Sequence, residues 1–311
     1  MSKTKDITKF STEQFQEFLM SFDIVMCDID GVLWHLNKPI EGASGSLVTL
    51  QNLKKEVYLV TNNSTKSLES FYKSLQYKCL NLNSDHVINT IKLITWYLKK
   101  IDFRDEVFAI VPEAAWEMLK EAGIRLTEPP KVFQTNIPAT VKEVLDRPSV
   151  KAVIVDFDVN CNWSMLALAI SCLKRKDVLY IAGATDEWLL IQPQITILGP
   201  GPLINIISEQ SGRKPILCSK PSQNLKDYIL DKCNVTDLRR CLFIGDSINQ
   251  DMKFASMCGC IKLFVGTGCD TLEQAQKEDD TCPDYYLPSL GQLFSVYNDP
   301  QCQRTVNHKN S

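Results

Sequence analysis

Short apolar runs alternate with stretches of helical spacing along most of this chain. Residues 24–27, 57–60, 107–111, 152–155, 178–182, 216–218, 241–245 and 261–265 read as buried strands. Each is brief, rich in β-branched or aromatic residues, and bounded by polar or turn residues. Ahead of the first run, Ser11-Thr-Glu-Gln14 has the form of a capping box, and Phe15, Phe18, Leu19 and Phe22 recur at helical spacing. Further helices are predicted over 46–55, 68–78, 87–99, 113–121, 163–174, 203–210, 225–231, up to Met257, and over 289–296, with a last strand at 284–287. Pro129, Pro130 and Pro138 break a loop-rich stretch, and 192–202 is rich in Pro and Gly. Strand–helix alternation predicts an α/β fold, a Rossmann-like doubly wound parallel sheet. The pattern restarts near residue 102. The expected organisation is therefore a core from 1–101 and 215–297, an inserted α/β cap domain at 102–214, and a disordered polar tail at 298–311.

The polar residues gather where these strands end. The first run stops in Asp28-Ile-Asp30-Gly31, and alternate residues of an extended chain share a face, so both carboxylates can address one site. Adjacent buried anions are costly unless a hard cation relieves them. The second run ends in Thr61-Asn62-Asn63-Ser64, ahead of a helix whose free N–H groups would suit an anion. Lys220-Pro221 follows 216–218, and Asp246 and Asp251 follow 241–245. Open α/β sheets bind ligands beyond the carboxyl ends of their strands.

These elements, DIDGVLW (28–34), TNNSTKS (61–67), GD…D (245–251) and PDYY (283–286), resemble the haloacid dehalogenase (HAD) superfamily of phosphatases. More closely, the chain resembles the p-nitrophenylphosphatase-like branch that contains phosphoglycolate and pyridoxal phosphatases, over about residues 18–295. The resemblance implies a Mg2+-dependent phosphomonoester hydrolase of a small phosphorylated metabolite, phosphoglycolate-like or pyridoxal-phosphate-like, working through an aspartyl-phosphate. It implies Asp28 as nucleophile and metal ligand, and Asp30 as proton carrier that lends its carbonyl to the metal. It further implies Asp246 as a metal ligand and Asp251 as the group that orients the hydrated metal or Lys220. Thr61, Asn62 and Asn63 would bind phosphate, and Lys220 would neutralise charge. A homodimer through the cap follows from the same likeness. The competing readings are a non-catalytic paralogue that binds a phospho-ligand and a phosphoprotein phosphatase. A retired enzyme would be expected to lose at least one of Asp28, Asp30, Thr61, Lys220, Asp246 and Asp251, and the chain keeps all six. Departures from the branch fall at Ser219, Ser247 and Gln250 and at the stiff 198–202 stretch, beside an unusually apolar 188–191. Asp156 and Asp158 also end a strand; they read as loop or substrate-side residues, with a structural role favoured over a substrate-side one.

Composition adds limits. A net charge of −3 gives no bulk attraction for nucleic acid or anionic membrane, and no apolar run reaches the ~20 residues a membrane helix needs. The polar N-terminus lacks the apolar core of a signal peptide, so a cytoplasmic protein is expected. The 12 cysteines, several inside strands, are expected to be free thiols, and the scattered histidines predict no structural zinc.

Overall fold

A computed structural model describes residues 4–36, 38–66, 80–130, 136–192 and 195–294. It begins with β1 (Lys5–Asp6) and α1 (Thr12–Met20). The capping box of α1 is formed: the Ser11 hydroxyl accepts from the Gln14 amide, and the Gln14 side chain accepts from the Ser11 amide. Phe15, Phe18, Leu19 and Phe22 are all buried, as their spacing requires. Then come β2 (Ile24–Cys27), a small hairpin of β3 (Trp34–His35) and β4 (Lys38–Pro39), α2 (Ala43–Asn52), β5 (Glu56–Val60), β6 (Val87–Ile88) and α3 (Thr90–Lys100).

The next block is β7 (Glu106–Ile110), α4 (Glu113–Glu121), β8 (Arg125–Leu126), α5 (Ile137–Glu143), β9 (Val150–Val155), α6 (Trp163–Leu173) and β10 (Leu179–Ala182). A second hairpin, β11 (Trp188–Gln192) and β12 (Ile195–Leu198), precedes α7 (Gly201–Ser211) and β13 (Ile216–Leu217). The chain continues with α8 (Gln223–Lys232), β14 (Cys241–Gly245), a π-helical turn (Ile248–Met252) and α9 (Lys253–Cys258). It closes with β15 (Ile261–Val265), α10 (Leu272–Ala275) and β16 (Tyr285–Leu287).

Two parallel sheets result. The larger runs β1-β16-β15-β14-β2-β5-β6, and the smaller β13-β10-β9-β7-β8. From the centre of the larger sheet the chain moves outward through β5 and β6 on one side, and through β15 and β16 on the other. The reversal lies between β2 and β14, which pair in register from Ile24–Cys241 to Cys27–Ile244. A crevice opens at such a point beyond the carboxyl ends. The two sheets share one apolar cluster: Met26 and Tyr58 of the larger, Val107 and Ile154 of the smaller, and Ile91, Ile94 and Leu98 of α3 between them.

Several expectations are corrected. Residues 87–88 are not helical: β6 takes them to the sheet edge, and the Asn89 side chain caps α3 at Lys92. The 216–218 run is an edge strand of the smaller sheet, paired with β10, so that sheet extends past residue 214. Pro138 opens a helix rather than breaking one, because proline suits the first helical turn. The Pro- and Gly-rich 192–202 stretch carries half of an antiparallel hairpin. In 289–296, the described residues form a short 3-10 turn at Leu290–Gln292. The helix expected at 68–78 and the tail at 298–311 lie outside the described residues. Among the described residues no helix is long and apolar enough to cross a membrane, and no disulfide joins the cysteines.

Candidate active site

All eight residues singled out in the sequence line one cavity of about 310 Å3 between the carboxyl edges of the two sheets. The larger sheet supplies most of them. Asp28 directly follows β2, its amide continuing the ladder by donating to the Ile244 carbonyl at 2.9 Å. Asp246 directly follows β14, and Thr61 follows β5. The smaller sheet supplies Lys220, three residues beyond β13.

The centre is a buried ion triad. The Lys220 ammonium donates to Asp28 Oδ1 at 2.6 Å, to Asp251 Oδ1 at 2.8 Å and to the Val60 carbonyl at 2.9 Å, so all three donors are used. Lys220 is only 2% exposed. Burial works against its charge, but Asp251 and Asp28 hold its pKa above the usual lysine value. Burial pushes the Asp28 carboxyl up, opposed by Lys220 and reinforced by Asp251 and Asp246. Asp246 is pushed up to about 7, first by burial and then by Asp251.

Asp28, Asp246 and Asp251 place carboxylate oxygens within 4.8 Å of one another. Asp251 is fully engaged: Oδ1 meets Lys220, and Oδ2 accepts the amides of Asp246 and Ser247, both at 3.1 Å. It shapes the turn after β14. Asp28 and Asp246 are the pair with capacity left, and an all-oxygen donor set of this kind fits a hard divalent cation. Only glycine tolerates the approach of the neighbouring chain. A Cβ on Gly31, whose φ is +86°, would meet Asp246 Oδ2 at 2.5 Å, and one on Gly268 would meet it at 1.6 Å.

Asp30 sits on the opposite side of the turn. Its Oδ1 accepts from Trp34 Nε1 at 3.2 Å, and its Oδ2 from Asn63 Nδ2 at 3.0 Å. Burial pushes its carboxyl up despite these donors. Asn63 is locked in turn by Thr65, whose amide and hydroxyl both donate to Asn63 Oδ1. The Thr61 hydroxyl accepts the Asn63 amide at 3.0 Å. Asn62 joins the two sheets: its Oδ1 accepts the Lys220 amide at 2.9 Å, while its Nδ2 donates to the Lys220 carbonyl and to Gln250 Oε1.

Sequence reasoning missed several members. Trp34 had no assigned role, yet it holds Asp30. Cys269 donates its amide to Asp246 Oδ2 at 3.0 Å, and the Thr267 hydroxyl donates to the Gly31 carbonyl at 2.6 Å. Asp186 enters from the smaller sheet's side, 3.5 Å from Asn62 Nδ2. Asp156 does not line the cavity. It is fully buried beneath it, accepting from the Thr90 hydroxyl at 2.5 Å and from the amides of Phe157 and Ala184.

Comparison with known proteins agrees with this geometry. Residues 25–125 match the family model of haloacid dehalogenase-like hydrolases, and residues 217–293 a HAD-hydrolase-like model. A 4-nitrophenylphosphatase of Schizosaccharomyces pombe is 25% identical over 291 residues, covering 91% of this chain and 97% of its own. Phosphoglycolate phosphatase 1A, chloroplastic, of Arabidopsis thaliana is 26% identical over 288 residues, covering 91% and 79%. Among solved structures, a p-nitrophenyl phosphatase from Archaeoglobus fulgidus superposes with a TM-score of 0.73 at 22% identity, covering 89% of this chain and 99% of its own. A glycerol phosphate phosphatase from Mycobacterium tuberculosis, solved in complex with magnesium, has a TM-score of 0.71 at 21% identity, covering 93% and 78%.

Proposed function

From the premise that this chain belongs to the haloacid dehalogenase-like hydrolases, we propose that it is a phosphomonoester hydrolase of a small phosphorylated metabolite. The observation that carries this reading is the Asp28–Lys220–Asp251 triad beside Asp246, at the reversal point of the larger sheet. Asp28 attacks phosphorus, forming an O–P bond as the bond to the ester oxygen breaks. Asp30, held by Trp34 and Asn63, gives its proton to the leaving oxygen. It then takes a proton from the water that cleaves the aspartyl-phosphate, releasing phosphate and restoring Asp28. Lys220 offsets charge on Asp28, and Thr61, Asn62 and Asn63 line the space for the phosphoryl oxygens. A divalent cation, Mg2+ in this reading, would be held by the side chains of Asp28 and Asp246 and the Asp30 carbonyl, and would neutralise charge on the phosphoryl group. Asp251 would act indirectly, by fixing Lys220 and the turn that carries Asp246.

The test is p-nitrophenyl phosphate hydrolysis with Mg2+ or with EDTA, alongside Asp28→Asn. Metal-dependent turnover by the native chain and a loss of at least ~10^3-fold in the variant are expected, in line with removal of a covalent nucleophile. Equal rates in both proteins would overturn the assignment. A homodimer through the smaller unit belongs to the same proposal. Ile137, Val141 and Leu145 stand exposed at helical spacing along and just beyond α5, and Val141→Lys is expected to yield monomers in sedimentation analysis. The proposal also places the protein in the cytoplasm.

A further inference from the structure

The cavity has two unlike halves. On the larger sheet's side it is polar. Facing that, the wall from the smaller sheet and the β11–β12 hairpin is apolar: Phe157, Val159, Trp188, Leu189, Ile191 and Ile197. One charged side chain enters from this second wall, Asp186, and it is a carboxylate. Among the described residues lining the cavity, the one cation is Lys220, and its three donors are already committed to Asp28, Asp251 and Val60. Lys66 lies to the side, its ammonium 5.3 Å from the Trp34 ring centroid and donating to the Leu36 carbonyl.

Asp186 is held in place by its backbone. The Gly201 amide donates to the Asp186 carbonyl at 2.9 Å, and the Gly199 amide to the Glu187 carbonyl at 2.8 Å. A Cβ on Gly199 would meet the Asp186 carbonyl oxygen at 2.1 Å, and one on Gly201 the Thr185 carbonyl oxygen at 2.6 Å. The Gly-Pro-Gly sequence thus allows residues 185–187 to lie directly across the start of α7. Proline at 200 stiffens that junction.

Charge balance follows. Asp28, Asp30, Asp186, Asp246 and Asp251 outnumber the Lys220 ammonium that faces them and Lys66, which acts on Asp30 from the side. A divalent cation and a phosphoryl dianion together add little net charge. No surplus positive charge is left for a second anion on the substrate, and a carboxylate there would face Asp186 against a low-dielectric wall.

We propose that the leaving group accepted here is an apolar alcohol or phenol bearing a hydrogen-bond donor or positive charge that Asp186 reads, and that esters carrying a second anion are rejected. This rests on the phosphomonoester reading above and narrows it. The apolar wall contributes by burial, and Asp186 sets the sign of the selection.

Three esters of nearly the same shape test it: 4-(aminomethyl)phenyl, 4-(hydroxymethyl)phenyl and 4-carboxyphenyl phosphate. In the native enzyme kcat/KM for the first two is expected to exceed that for the carboxylate at least about tenfold, mostly in KM, since the effect is on binding. Asp186→Asn is expected to narrow the ratio of aminomethyl to carboxy ester at least about fivefold. Equal kcat/KM for all three, or an unchanged ratio in the variant, overturns the inference while leaving the hydrolase reading intact. The corresponding methylenephosphonates, measured by calorimetry, separate the two claims. The same order of Kd with no hydrolysis of any ester would keep the selection and sink the hydrolase reading.

Discussion

Asp156 shows how a strand-end carboxylate outside the cavity can still govern the molecule. Burial pushes its pKa up to about 6, against hydrogen bonds from Thr90, Phe157 and Ala184, among others, that favour the anion. Its ordinary value is 3.8, so the folded protein holds this proton more tightly than the unfolded chain does. That contribution to stability is fully present below about pH 3.8 and is lost as pH rises through about 6, a loss of about 2–3 kcal/mol. In the Asp156→Asn variant the side-chain carbonyl can still accept the Phe157 and Ala184 amides, and the side-chain NH2 can donate to the Thr90 hydroxyl. The variant should therefore gain melting temperature relative to the native protein as pH rises from 4.5 to 7.5. Thermal melts at several pH values in that range check this, and a constant difference would contradict it. At this scale the sequence was informative where a residue type is chemically unusual in its place. Asp28, Asp30 and Lys220 stood out because a strand end seldom gathers charge. Trp34 and Asp186 did not, because an aromatic after a turn and an acid in a loop are ordinary until their partners across the fold are known.

The apolar runs made most strands and helices legible, since a buried strand needs little beyond a short β-branched stretch. The β11–β12 hairpin escaped because the Trp188-Leu-Leu-Ile191 run does not alternate with polar residues and the return strand, Ile195–Leu198, is only four residues long. Ile195, Ile197 and Leu198 are exposed as well as hydrophobic, and proline and glycine punctuate the stretch. Likewise β6 escaped because two residues of strand lead directly into a helix of matching apolar spacing, and only Asn89 marks the join. The hairpin's return into α7 depends on Gly199. Gly199→Ala would force the Asp186 carbonyl away and tilt the apolar wall. We expect a fall of about tenfold to a hundredfold in kcat/KM, the scale of a displacement of about 1 Å at a site, with the far-ultraviolet circular dichroism unchanged. Steady-state kinetics and the spectrum together decide it: an undiminished kcat/KM would show the junction to be slack.

For the molecule as a whole, the site is a joint. Asp28 belongs to one sheet and Lys220 to the edge of the other, while Asn62 bonds the Lys220 backbone in both directions. The close anions Asp28, Asp246 and Asp251 ride on the larger sheet and are tied to the smaller one through Lys220, so a cation at Asp28 and Asp246 should stabilise the entire fold. At a hundredfold excess over its Kd, Mg2+ is expected to add about 2.7 kcal/mol, seen as a rise in melting temperature that EDTA reverses. Asp246→Asn should abolish most of that rise. An identical response in the variant would move the cation elsewhere.

The central pairing of β2 with β14 also sets an order of events during synthesis. Ile24 emerges from the ribosome early, but its partner Cys241 follows only after the whole smaller sheet has been made. The strands of that smaller sheet lie nearer one another along the chain and can associate while synthesis continues. Until β14 arrives, one side of the strand leading to Asp28 has no neighbour, and an apolar edge is open to other chains. The most hazardous interval in this protein's life thus falls late in translation. A nascent chain that has emerged as far as residue 240 would present the smaller sheet assembled, the larger one incomplete, and the carboxylates of the site not yet gathered.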